Sequence, residues 1–154
     1  MGEWALLGHI LGGFTLFAGM VLATAGWHLA RAKSAPGEIA LLLGLCRIAA
    51  LMVAVATVVV LGFGLWLVEL QGRRLTDSWI LWAIMLLVVA TAAGIAGGQR
   101  PKRARQLAER LSERGAGATS ELRTLLDDRA SALLNYAAAA CVLAIVFLMV
   151  FKPQ

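Results

Sequence analysis

Ile48-Ala-Ala-Leu-Met-Val-Ala-Val-Ala-Thr-Val-Val-Val-Leu-Gly-Phe-Gly-Leu-Trp-Leu-Val68 is 21 residues without a charge. A helix rises 1.5 Å per residue, and about 20 apolar residues cross the hydrocarbon core of a bilayer. This one stretch therefore predicts a transmembrane helix. Inside lipid, every backbone N–H and C=O must find its partner within the segment, which favours a helix over a lone strand.

Working outward, the same reading repeats three times. Trp4 to Ala30 is apolar throughout and closes on Arg31 and Lys33. It is expected to be an uncleaved span. It is too long for a signal core, and Glu3 stands where a signal peptide wants basic residues. Ser34-Ala35-Pro36-Gly37 reads as a turn. The second stretch then covers 38–68, with Arg47 near the cytoplasmic interface and residues 38–46 extending the helix. Trp79 to Gly98 gives a third span, and 129–151 a fourth. The expected fold is all-α: one transmembrane domain over 1–154, a four-helix bundle with spans at about 4–30, 38–68, 79–98 and 129–151.

Composition agrees. Sixty per cent of the 154 residues are hydrophobic and 15% are charged, against about 25% charged in soluble domains. Mean hydropathy is +0.81.

The charge is concentrated. Eight of the 14 Lys and Arg residues lie between Arg100 and Arg129, in the polar segment 99–128 and its edge. Within it, Leu107 and Leu111 are four apart among charges, predicting an amphipathic helix over 102–114. Gly115-Ala116-Gly117 ends it, and Thr119 or Ser120 caps a second helix through Leu126. The net charge of +5 is read as membrane orientation and as attraction of the 99–129 segment to anionic lipid head groups. It is not read as nucleic-acid binding.

The side of the membrane holding the 31–37 turn and the 99–129 segment carries ten Lys and Arg residues. The other side, with Arg73, Arg74 and Lys152, carries three. The positive-inside rule puts the first side in the cytoplasm and both termini outside. Trp4, Trp66, Trp79 and Trp82 then fall near outer span ends and Trp27 near an inner end, as in interfacial aromatic belts.

Gly8, Gly12, Thr15, Gly19, Ala23 and Gly26 form one small-residue stripe on the first span, and Ala90, Gly94 and Gly97 a shorter one on the third. Such stripes let helix backbones approach closely in lipid. They suit packing within the bundle more than a homodimer face.

Few residues invite chemistry. His9 lies toward the outer side and His28 at the cytoplasmic end of the first span. An imidazole at membrane depth can ligate a haem or metal, relay protons, or bond a neighbouring helix. The two are 19 residues apart, about 28 Å along one helix, so they cannot serve one iron within a chain. His9 is the candidate cofactor and metal ligand; His28 reads as interfacial. Arg47 is a candidate for holding a propionate or lipid phosphate, with snorkelling to the head groups as its plain role. Tyr136 suits the interface, and Asn135 can bond across helices. Cys46 and Cys141 belong to no metal or disulfide pattern. There is no phosphate loop, nucleophile elbow, zinc spacing or acidic residue within a span.

Several segments resemble a bacterial family of predicted integral membrane proteins, domain of unknown function 2269. They are His-Ile-Leu-Gly-Gly-Phe (9–14), Gly-Leu-Trp-Leu (64–67), Arg-Ala-Arg-Gln-Leu-Ala-Glu-Arg-Leu (103–111), Leu-Asn-Tyr-Ala (134–137) and Phe-Leu-Met-Val-Phe-Lys-Pro (147–153). The resemblance covers nearly the whole chain and implies a bacterial membrane protein without naming an activity. More distantly, the layout is similar to the copper-resistance protein D group. Some relatives there are thought to bind haem b through a histidine early in the first helix, and His9 sits at the matching place. The chain departs from a bis-histidine pattern and lacks the Met- and His-rich stretches of a copper handler.

Three functions stay open. The first is a non-enzymatic component of the inner membrane that packs with itself or a larger complex and holds a b-type haem at His9. The second is a haem-dependent redox enzyme with His9 as axial ligand and Arg47 near the cofactor. The third is a transporter or permeation component.

Overall fold

The computed structural model describes residues 2–151. Lys152, counted above with the amino-terminal side, lies outside the described residues, as do Pro153 and Gln154. The described residues form six helices: α1 (Gly2–Ala32), α2 (Pro36–Leu70), α3 (Ser78–Gly97), α4 (Gln99–Glu113), α5 (Ser120–Leu126) and α6 (Arg129–Phe151). Among the described residues there is no strand. Four helical stretches are long and apolar enough to cross a membrane, as the hydropathy requires.

Local signals place the boundaries. Pro36 opens α2 behind an extended Ala35. Proline suits a first turn, where its missing N–H would be unpaired anyway, and it pushes the preceding residue out of helical geometry. The expected 34–37 turn is accordingly shorter, since Pro36 and Gly37 already belong to the helix. Helical bonding runs on through the junction of α3 and α4, with Gly98 N donating to Gly94 O and Lys102 N to Gly98 O. Gly115 ends α4 at φ 62, a left-handed turn that glycine adopts without steric cost. Thr119 caps α5, its Oγ1 accepting from Leu122 N at 3.3 Å.

The spans pack in pairs. α1 lies along α2, and α3 along α6. The α1–α2 contact is a ladder of small residues. A Cβ added at Gly8 would stand 2.8 Å from the Phe63 ring, at Gly12 2.9 Å from Val60, at Gly19 2.9 Å from Val53 and at Gly26 2.7 Å from Cys46 Sγ. These glycines set how closely the two helices approach, which is what stabilises helix pairs where water supplies no hydrophobic drive. Thr15 departs from the expected stripe. It is exposed, with its hydroxyl bonded back to Leu11 O, and Leu16 takes the buried position. On the other pair, Gly97 makes room for Asn135.

At one end, Trp27 and Ala30 of α1, Ile39 and Leu43 of α2, Ala104 and Ala108 of α4, and Leu122 and Leu126 of α5 form a single core, which joins the α1–α2 pair to the segment between α3 and α6. α4 packs mainly on α2, and α5 on α4. The apolar face of α4 thus meets protein. Trp27 is 7% exposed in this core, so it anchors the core and does not join an interfacial belt. Each fully buried Ile or Leu here contributes about 1.5–3 kcal/mol.

Candidate functional site

His9 is half-buried on the α2-facing side of α1. Its Nδ1 donates to the Val60 carbonyl oxygen at 3.0 Å. A carbonyl oxygen only accepts, so the bond places the proton on Nδ1 and leaves Nε2 as the acceptor nitrogen of the neutral ring. Gly64, one turn beyond Val60, gives the imidazole its space: a Cβ there would stand 3.1 Å from His9 Cε1. The histidine therefore bridges α1 and α2. The same bond would also orient a metal-ligating imidazole, whose second nitrogen is commonly tied to a carbonyl.

Arg47 is exposed on α2. It lies 17 residues before Gly64, about 25 Å along the helix. The structure does not bring His9 and Arg47 together. Trp66 and Arg47 are 19 residues apart, about 28 Å, close to the ~30 Å of hydrocarbon between two head-group layers.

Shallow grooves mark two places. One, on the surface of α2, is lined by Val58, Val59, Gly62, Phe63 and Trp66; His9 does not line it. The other runs between α4 and α5 and is lined by Arg103, Gln106, Leu107, Arg110, Glu121 and Leu125. Among the described residues, no group of three or more His, Cys, Asp or Glu side chains is placed to hold a metal.

The polar contacts cluster at the α4–α5 end. His28 Nε2 and the Tyr136 hydroxyl are 2.8 Å apart. Arg31 pairs with Asp127 at 2.9 Å. Arg123 donates to the carbonyls of Arg31 (3.2 Å) and Lys33 (2.7 Å), satisfying groups that the end of α1 leaves without helical partners. Lys33 pairs with Glu38 at 3.5 Å, and Arg105 pairs with Glu109 one turn on. Asp128, just ahead of α6, accepts from Ser131 Oγ (2.7 Å) and Ser131 N (2.9 Å). The Ser131 hydroxyl, then its N–H, hold the Asp128 carboxyl below its usual range.

His28 and Tyr136, read separately from the sequence as interfacial, form one contact. No local pattern could pair them, because they are 108 residues apart. The role of Gly64 beside His9 was likewise hidden in an apolar run. The two cysteines are free, and Cys46 Sγ donates to Ala23 O at 3.4 Å.

The chain matches the family model "Predicted integral membrane protein (DUF2269)" over residues 5–153. No curated protein and no solved structure matches it.

Proposed function

The chain belongs to the DUF2269 family of predicted integral membrane proteins, and on that premise we propose that it is a non-catalytic, self-associating component of a membrane assembly. One observation carries this. Gly13, Gly44, Gly62 and Gly94 lie within the long apolar helices, yet a Cβ at any of them would meet nothing within 4 Å. Glycine inside a helix costs about 1 kcal/mol relative to alanine. Four such positions lack a reason within the chain, while close approach of another helix supplies one. The surrounding faces are apolar and exposed, including Ile48, Val55, Val58, Val88 and Ile95.

The test is single-cysteine cross-linking in native membranes at Gly62→Cys and Gly94→Cys, with Cys46→Ala and Cys141→Ala as background. Cross-linked dimers at either site that persist on dilution with excess lipid are expected. Monomers alone, at every lipid-to-protein ratio, overturn the reading.

The charge asymmetry supports placement in a bacterial inner membrane, with the α4–α5 end in the cytoplasm beside anionic head groups and both termini outside. Accessibility of a cysteine at Gly117 to an impermeant reagent, against one at Asp77, tests it. Labelling of Gly117→Cys from outside intact cells overturns it.

A bis-histidine haem b within one copy does not fit the residues around His9. Its Nε2 is free to ligate, but this chain has no second histidine at that depth, and Arg47 is too distant to meet a propionate of the same haem. A visible spectrum of purified protein, oxidised and reduced, beside His9→Ala checks this. A Soret band lost in His9→Ala would restore the haem reading.

A further inference from the structure

We propose that the groove between α4 and α5 holds the head group of one anionic phospholipid, a phosphodiester bearing free hydroxyls. The inference rests on the reading above that this end meets the head-group layer, and it adds a discrete site to that reading.

Position comes first. Ser112 of α4 lies beside Gly37 of α2; a Cβ on Gly37 would be 3.1 Å from Ser112 Oγ. α4 leads away from the α3 span while α2 leads toward the membrane, so the two run in opposite directions. Arg103 is nine residues before Ser112 and Arg47 ten after Gly37. At 1.5 Å per residue these are about 14 and 15 Å. Arg103 therefore stands near the level of Arg47, at the edge of the hydrocarbon. Arg110, two turns on, lies about 10 Å further from it. The groove starts at the head-group layer and rises out of it.

Charge comes second. Of the basic side chains in this segment, Arg105 is committed to Glu109 and Arg123 to the carbonyls that end α1. Among the described residues, Arg103 and Arg110 have no carboxylate within ion-pair distance. Both arginines line the groove, together with Gln106, Leu107 and Leu125. A guanidinium fork matches phosphate oxygens. Glu121 also lines the groove. Two arginines and one glutamate leave one net positive charge, the complement of a phosphodiester. Glu121 is exposed and can accept from a head-group hydroxyl, which a bare phosphate dianion lacks.

The test uses full-length protein in nanodiscs of defined lipid, with retained lipid read by native mass spectrometry. Phosphatidylglycerol is the probe, phosphatidylcholine the neutral comparison, and soluble glycerophosphoglycerol, the deacylated phosphodiester, the lipid-free source of the same chemistry. Arg103→Gln with Arg110→Gln is expected to lower phosphatidylglycerol retention about tenfold, the effect of one lost charge-assisted bond. Lys102→Gln with Arg114→Gln makes the same charge change outside the groove and is expected to lower retention by much less. Equal losses in the two double variants, or equal retention of phosphatidylglycerol and phosphatidylcholine, overturn the site. Glycerophosphoglycerol competing at equal concentration overturns the assignment to a lipid. A fluorophore at Arg100→Cys, in the cysteine-free background, is quenched by head-group-labelled lipid if this end touches the membrane. Quenching kept while lipid preference is absent overturns the groove alone; absent quenching overturns the reading beneath it.

Discussion

His28 on α1 and Tyr136 on α6 are joined by a 2.8 Å hydrogen bond between Nε2 and the phenol oxygen. It ties the α1–α2 pair to the α3–α6 pair beside the shared core. The Arg31–Asp127 pair ties the end of α1 to the residue that closes α5. Both contacts are exposed, so each is worth little alone; surface ion pairs contribute about 0–1 kcal/mol. Tyr136→Phe should leave the folded core intact and broaden the distance between spin labels placed on α2 and α3. An unchanged distance distribution would show that the α4–α5 core alone sets the angle between the pairs.

His9→Ala removes the α1–α2 bond to Val60. Interhelical bonds in membranes average about 0.6 kcal/mol and reach about 1–2. The variant should unfold at lower denaturant by that amount. Gly64→Ala should cost a similar amount, because its methyl group would crowd the imidazole at 3.1 Å. The double variant should cost less than the sum of the two. Strict additivity would show that Gly64 does not act through His9.

Adjacent glycines on α1 should answer oppositely. Gly12→Ala puts a methyl group 2.9 Å from Val60 Cγ2 and 3.3 Å from its backbone nitrogen, so it should force the pair apart and lower thermal stability. Gly13 has nothing within 4 Å. Gly13→Ala should raise stability in the detergent-solubilised monomer by up to about 1 kcal/mol through helix propensity. Equal effects would show that the ladder does not govern packing.

Leu126 is 1% exposed in the shared core. Leu126→Ala should cost about 2–5 kcal/mol, as large-to-small core changes do. Limited proteolysis should then cut within 99–128 before the spans. Resistance equal to the parent protein would show that this core is dispensable.

Asp128 gives a pH dependence of known sign. Its carboxyl is held below the ordinary 3.8 by the Ser131 hydroxyl, then by the Ser131 N–H. A depressed folded value adds stability at pH above 3.8 that is lost as pH falls through the folded value. The first turn of α6 should stay protected from hydrogen exchange at neutral pH and open only in acid. Asp128→Asn keeps an acceptor and should flatten that acid loss.

Local sequence carried much of this architecture. The four spans, the two short helices and the Thr119 cap all follow from hydropathy, helical spacing and capping chemistry. The polar segment was legible because Leu107 and Leu111 share a face that its charges leave clear. Trp27 was not. An aromatic near a span end looks the same whether it meets head groups or a core, and only Ile39, Ala104 and Leu122 arriving beside it decide between them. Arg47 could be read as a boundary residue from the sequence because its signal, one charge bounding 21 apolar residues, is local.

By itself, the sequence determined that this chain crosses a membrane, and about where. The cost of charged and unpaired polar groups in hydrocarbon acts on each segment independently. Only the tertiary structure decided which helices pair, what His9 touches, and that His28 meets Tyr136. In lipid all apolar faces are alike in hydropathy, so pairing rests on matching small residues to large across chain distances that no local pattern records. Gly8 against Phe63 and Gly64 against His9 exist only once α1 lies on α2.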